Sequence, residues 1–249
     1  MAKDKTSKKT RLPPAHASPS LAQDPARKPP SWPAFKPRLP VADLDVDFPV
    51  PALADKIALV RNFWPKSLCR GYVTFVESLP LALTPGRPKR GEAVRVNDRF
   101  QVQDPAFAQR LWLETGIQEL VLREPFRHLW GGEVIGLNPN IRVYRYCKGH
   151  FFDSHYDDAN VVTLKQEAGV ETTGKTTWTM LLYLTDDCVG GETVFFPHDR
   201  EVEKEAIAIS PEAGMLLLHK HGDDCLLHAG REVQQGVKWI LRTDLVVRR

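Results

Sequence analysis

His155-Tyr156-Asp157, followed by His228 and then, ten residues later, by Lys238, is the set of side chains whose types and order could do chemistry. Two imidazoles and one carboxylate can fill one triangular face of an octahedral ion, a donor set typical of Fe(II) held outside a haem. The opposite face then stays open. A cation shortly after the last histidine is where a chelating 2-oxo acid would anchor its far carboxylate. His-x-Asp alone carries little, because chance produces it often in a chain of this composition. The ordered set carries the weight.

In an extended chain His155 and Asp157 point to the same side. His228 follows the short apolar pair Leu226-Leu227 and closes the triad if the two segments are antiparallel neighbours. His219 and His221 also share a face and rival it for the third position. They precede the turn-like Gly222-Asp223-Asp224, however, which reads as exposed. Lys238 opens an apolar strand, where a lysine either snorkels to solvent or pairs with an anion inside. Arg242 faces the same way four residues along, so two cations point inward if Lys238 does, and burying both requires an anionic partner. Lys238 is the expected anchor for the anion. Arg242 is expected to support the site or meet substrate, with a salt bridge to a core acid as the alternative. Tyr146 and Tyr183 complete the candidates, since an inward phenol needs a partner for its hydroxyl, either a carboxylate oxygen or a backbone group.

These residues must be positioned by a scaffold, and the pattern changes along the chain. Asp55 to Glu77 reads as helix, turn, helix, with Trp64-Pro65 at the break. Leu79 to Val94 reads as a loop. Pro105 to Arg123 reads as one helix with the apolar stripe Phe107, Leu111, Trp112, Ile117, Leu120 and Val121. After Gly136 short strands follow at close spacing, so that Arg142, Tyr144 and Tyr146 share a face. The polar segment Asp158–Thr176, with Gly169 and Gly174, reads as a mobile lid. Helices first and strands after give an α+β fold with a β-sandwich or barrel.

Charge separates the ends. Residues 1–40 carry nine Lys/Arg against Asp4 and Asp24 and hold nine of the twenty prolines; of the formal +3, this leaves the rest of the chain at −4. Such a segment buries too little apolar surface to offset its entropy and is expected to be a disordered basic tail. The domain is expected at 41–249, with helical support over about 52–135 and the strand-rich core over about 136–249. An acidic body argues against a nucleic-acid partner. No apolar run resembles a secretory signal or a membrane span, and the four cysteines sit singly. A membrane partner is therefore not expected, and a cytoplasmic or nuclear place is.

Tyr146-x-x-Gly149-x-x-Phe152-x-x-His155-x-Asp157, Leu182-Tyr183-Leu184, Gly190-Gly191-Glu192-Thr193-Val194-Phe195-Phe196-Pro197, Pro211-x-x-Gly214, His228 and Lys238 resemble the prolyl-4-hydroxylase-type Fe(II)/2-oxoglutarate dioxygenases. Similarity runs over about residues 57–248. The resemblance implies a double-stranded β-helix, or jelly roll, with Fe(II) on His155, Asp157 and His228. It also implies 2-oxoglutarate at Lys238 with Tyr183 and Tyr146 assisting, ascorbate as reductant, and dioxygen as the second co-substrate. The expected reaction is hydroxylation of an unactivated C–H, most simply of a prolyl residue in a protein. A small molecule or free amino acid is the alternative substrate, and a non-catalytic jelly-roll binding protein is a more distant reading.

Overall fold

The computed structural model describes residues 28–84, 92–165 and 169–249. In chain order the elements are β1 (Ile57–Val60), α1 (Lys66–Glu77), β2 (Ala82–Thr84), β3 (Arg95–Gln103), α2 (Pro105–Glu114), α3 (Ile117–Leu122), β4 (Val134–Leu137), β5 (Asn140–Tyr146), β6 (Phe151–His155), β7 (Val161–Lys165), β8 (Glu171–Tyr183), β9 (Val189–Gly190), β10 (Thr193–Phe196), β11 (Ile207–Ile209), β12 (Leu216–Lys220), β13 (Leu227–Gly230), β14 (Val233–Gln235) and β15 (Lys238–Arg248).

The strands run β1-β12-β8-β15-β5-β3 on one side and β6-β13-β10-β11 on the other. The long strand β3 links the two layers: residues 98–103 pair with β5, whereas Arg95 and Val96 pair with β6. The result is a curled, mostly antiparallel jelly roll with few helices, in line with the expected fold class.

Alternation along the central strands divides the apolar residues between two cores. On β8 and β15, Trp178, Met180, Leu182, Trp239 and Leu241 pack outward against the helices. Leu181, Tyr183 and Ile240 point into the barrel with Tyr144, Tyr146, Phe152 and Phe195. Lys238, Ile240, Arg242 and Asp244 therefore share the inner face of β15.

Four expectations need correcting. Ile57–Val60 is a strand, not helix: all four side chains are buried and pair antiparallel with β12, and a short continuous apolar run reads equally well either way. The single helix expected over Pro105–Arg123 is two, capped by Asp104 and split at Gly116, whose φ of +80° is a left-handed conformation that ends a helix. The region expected as helical support also contributes β1, β2 and β3 to the sheets. The Asp158–Thr176 segment forms a hairpin of β7 with the start of β8 and packs Leu164 at Gly136; Val and Thr favour the pleated surface. Residues 85–91 of the expected loop and 166–168 of the expected lid lie outside the described residues.

The tail needs correcting in part. Residues 1–27 lie outside the described residues, but 28–40 pack on the helical layer. Trp32, Phe35 and Leu39 are buried; Trp32 stacks on Phe107 at 4.1 Å, and its indole N–H donates to Asp104 Oδ2 at 2.8 Å. Asp104 Oδ1 meanwhile accepts from the backbone N–H of Phe107, so one carboxylate caps α2 and anchors the incoming chain. Averaging composition over forty residues hid three apolar anchors among the prolines and lysines.

Candidate metal and co-substrate site

Strand pairing brings the motif together. β13 runs antiparallel to β6 with His228 directly opposite His155, and Asp157 follows β6 by two residues. One donor atom from each of the three lies within 4.8 Å of the others. His155 Nε2 is 3.8 Å from Asp157 Oδ1, and His228 Nε2 is 3.9 Å from Oδ2.

The rings are oriented from behind. His155 Nδ1 donates to the Asp153 carbonyl at 2.8 Å and His228 Nδ1 to the Leu226 carbonyl at 2.9 Å. That assignment fixes the Nδ1–H tautomer and turns each Nε2 lone pair toward the carboxylate, as a metal-binding histidine requires. Burial, and for His155 also the neighbouring His228, pushes both imidazoles toward neutrality. Burial opposes ionisation of Asp157, but Arg242 and the surrounding histidines outweigh it and hold the carboxyl well below its ordinary range. Two neutral imidazoles and one carboxylate are the ionisation states that suit a divalent ion.

Asp157 is held by a network with no simple sequence signal. Arg242 Nη2 donates to Oδ2 at 2.7 Å and Nη1 to Oδ1 at 3.3 Å. The Thr179 hydroxyl donates to Oδ2 at 2.9 Å. With its single proton spent there, Thr179 must accept from His221 Nδ1, 2.9 Å away, and His221 Nε2 accepts from Thr176 at 2.9 Å. Both ring nitrogens of His221 are thus satisfied by hydroxyls, which removes it as a rival for the third ligand. Arg242 also approaches Asp244, which accepts from Arg142 and Asn138. The alternative of a salt bridge to a buried acid is the arrangement found, with Asp157 as the acid, and Arg242 lines the same cavity as Lys238.

His219 joins the cluster from across the barrel. β12 pairs with β8 so that His219 faces Thr179, and its Nε2 is 3.8 Å from Asp157 Oδ2. It is 2% exposed, and neither ring nitrogen has a hydrogen-bond partner. Each buried donor or acceptor left in that state costs about 1–3 kcal/mol.

Lys238 lies in the same cavity as the triad. Its register places it opposite Tyr146, and its Nζ donates to the Gly191 carbonyl at 2.5 Å. Gly191 has φ +74°, and a Cβ there would crowd the lysine stem at 3.3 Å, so the close approach requires glycine. The rings of Tyr146 and Tyr183 lie 5.4 Å from the ammonium, which meets no carboxylate within ion-pair distance among the described residues. Burial lowers its pKa to about 8. The Tyr183 hydroxyl is bonded to Thr193 at 2.7 Å, while burial raises the Tyr146 phenol to about 12, so both phenols are neutral.

Residues 141–243 match the family model of the 2OG-Fe(II) oxygenase superfamily, a span that includes every candidate ligand, Lys238 and Arg242. Prolyl 4-hydroxylase 1 of Arabidopsis thaliana is 33% identical over 113 residues, 40% of this chain, which spans 38% of that relative's length. Among solved structures, a prolyl hydroxylase from Trichoplax adhaerens, in complex with a hypoxia inducible factor peptide fragment, aligns with TM-score 0.54 and 16% identity over 77% of this chain and 84% of that one. HygX from Streptomyces hygroscopicus, with nickel, 2-oxoglutarate and hygromycin B bound, aligns with TM-score 0.51 and 12% identity over 79% and 85%. At these identities the two structures share the fold.

Proposed function

We infer that this chain, whose residues 141–243 form a domain of the 2OG-Fe(II) oxygenase superfamily, is an Fe(II)- and 2-oxoglutarate-dependent dioxygenase that hydroxylates an unactivated C–H, with a prolyl residue of a protein as the substrate. The superfamily takes Fe(II) and 2-oxoglutarate. One observation carries the reading most: a buried ammonium, Lys238, meets a carbonyl but, among the described residues, no carboxylate, in the cavity that holds two oriented histidines and an ionised aspartate. The donor set suits Fe(II), and the unpaired cation suits a carboxylate at the other end of the same chelating molecule.

His155, Asp157 and His228 would hold the metal, which, when bound with its co-substrate, supplies oxidising power from dioxygen. Lys238 would take the distal carboxylate of 2-oxoglutarate, and Tyr146 and Tyr183 would line its path. Their buried, neutral phenols keep that end of the cavity dry, which strengthens the charge-assisted contact. Arg242 and Thr179 hold Asp157 in place, so the negative ligand need not reorganise when the metal enters. Ascorbate fits as the reductant that restores Fe(II) after uncoupled turnover.

The test is succinate release from 2-oxoglutarate and Fe(II), measured against proline-containing peptides and against a metabolite library. Stimulation by a peptide, with hydroxyproline found in the product, supports the reading. Stimulation by a metabolite alone would move the substrate to a small molecule and leave the chemistry intact.

A further inference from the structure

We propose that Asp98, Cys147 and His150 form a second metal site, separate from the catalytic cavity, which takes Zn(II). One donor atom from each lies within 4.8 Å of the other two, and none of the three side chains lines the cavity that holds His155, Asp157, His228 and Lys238. Cys147 and His150 bracket the turn between β5 and β6, which the His150 N–H closes on the Cys147 carbonyl at 2.9 Å. Val233 pins the turn from the side. Its carbonyl accepts from Gly149 at 2.8 Å and its N–H donates to the His150 carbonyl at 3.0 Å. Asp98 comes from β3, directly opposite Arg145, two residues before the cysteine. Arg145 Nε donates to Asp98 Oδ2 at 2.9 Å, so an arginine orients this carboxylate as Arg242 orients Asp157, and one oxygen is left for an ion.

His150 supplies a second, independent observation. Its Nδ1 is buried and has no hydrogen-bond partner among the described residues, and a metal bond takes up a lone pair that the protein leaves unused. Thiolate, imidazole and carboxylate are all zinc ligands, and a water completes four-coordination around three protein donors. Such an ion holds its donors about 3.5 Å apart, so binding needs only a small closing of side chains already in reach. The sulfur also separates this donor set from the catalytic one. A thiolate selects Zn(II) over Fe(II), and Fe(II) stands lower in the general order of affinities as well. Binding releases the Cys147 thiol proton. The ion would fasten β3 to the turn that leads into β6 and its His155.

The experiment titrates the full chain, freed of metal, with Co(II) as an optical probe of the zinc site. Co(II) bound through a thiolate gives a near-ultraviolet charge-transfer band that two histidines and an aspartate cannot give. The band should appear in the wild type and in Asp157→Ala. It should persist in Cys225→Ser, whose thiol lies beside His228, and vanish in Cys147→Ser. Zn(II) should displace the Co(II), and chelator competition in the Asp157→Ala background should show zinc bound at least tenfold more weakly once Cys147→Ser is added. Zn(II) should also protect Cys147 of the wild type from alkylation, read by peptide mass spectrometry, a measurement that needs no variant to fold. A wild type without the band, a band that survives Cys147→Ser, or an unprotected Cys147 would overturn the proposal. Failure of the catalytic reading would show differently, as iron binding that ignores Asp157→Ala while the cobalt band stands.

Discussion

Arg242 grips Asp157 with both arms of its guanidinium, at 2.7 Å to Oδ2 and 3.3 Å to Oδ1, and both side chains are buried. This pair makes the one negatively charged candidate ligand a fixed part of the barrel. Arg242→Gln should lower metal affinity by about 10–100-fold while changing the 2-oxoglutarate requirement of the metal-saturated enzyme much less. Metal titration and co-substrate saturation curves on the same protein separate the two effects. A large co-substrate effect with unchanged metal affinity would return Arg242 to the role of anion anchor.

Lys238 should control co-substrate affinity. Lys238→Ala is expected to raise the 2-oxoglutarate requirement by roughly 30-fold or more, equivalent to about 2 kcal/mol for a desolvated charge pair. Metal content should stay unchanged, because the lysine is not placed among the ligands.

Its pH dependence follows from the lowered pKa. The ammonium binds the anion and the free protein loses that proton near pH 8. Affinity should therefore be level below about pH 8 and fall as pH rises through it, and this break should vanish in Lys238→Ala. Calorimetric titration of 2-oxoglutarate across that range measures it. Affinity that rises above pH 8 would contradict the assignment.

The N-terminal segment should divide into two functional parts. Removing residues 1–27 is expected to leave turnover per enzyme unchanged, since the candidate site residues all lie in the domain. Trp32→Ala should instead destabilise the fold by about 3 kcal/mol, through its lost stacking on Phe107 and its lost bond to Asp104. Denaturant unfolding of both proteins tests the contrast.

Much of the site was legible in the sequence because it lies on local patterns. His-x-Asp in extended chain, and Lys238 and Arg242 at even spacing on one apolar strand, need only the two-residue alternation of a β-strand. What stayed hidden depends on pairing between distant segments. The β12–β8 register puts His219 and His221 beside Asp157, from sixty residues away, and no period in the chain announces it. The partner of Arg242 was similarly open, because alternation gives a face but not the acid across the barrel. Ile57–Val60 reads as helix or as buried strand from sequence alone, because four consecutive apolar residues fit both. Trp32, Phe35 and Leu39 were lost in the average charge of their segment.

The most direct measurement of the central claim is iron content and succinate formation in wild type and Asp157→Ala, each reconstituted anaerobically with Fe(II) and then given 2-oxoglutarate and air. The wild type should bind one Fe(II) per chain and release succinate. Asp157→Ala lacks the charged ligand that Arg242 and Thr179 hold in place, and should fold, bind no stoichiometric iron and release none. A folded Asp157→Ala protein with undiminished iron and turnover would contradict the account.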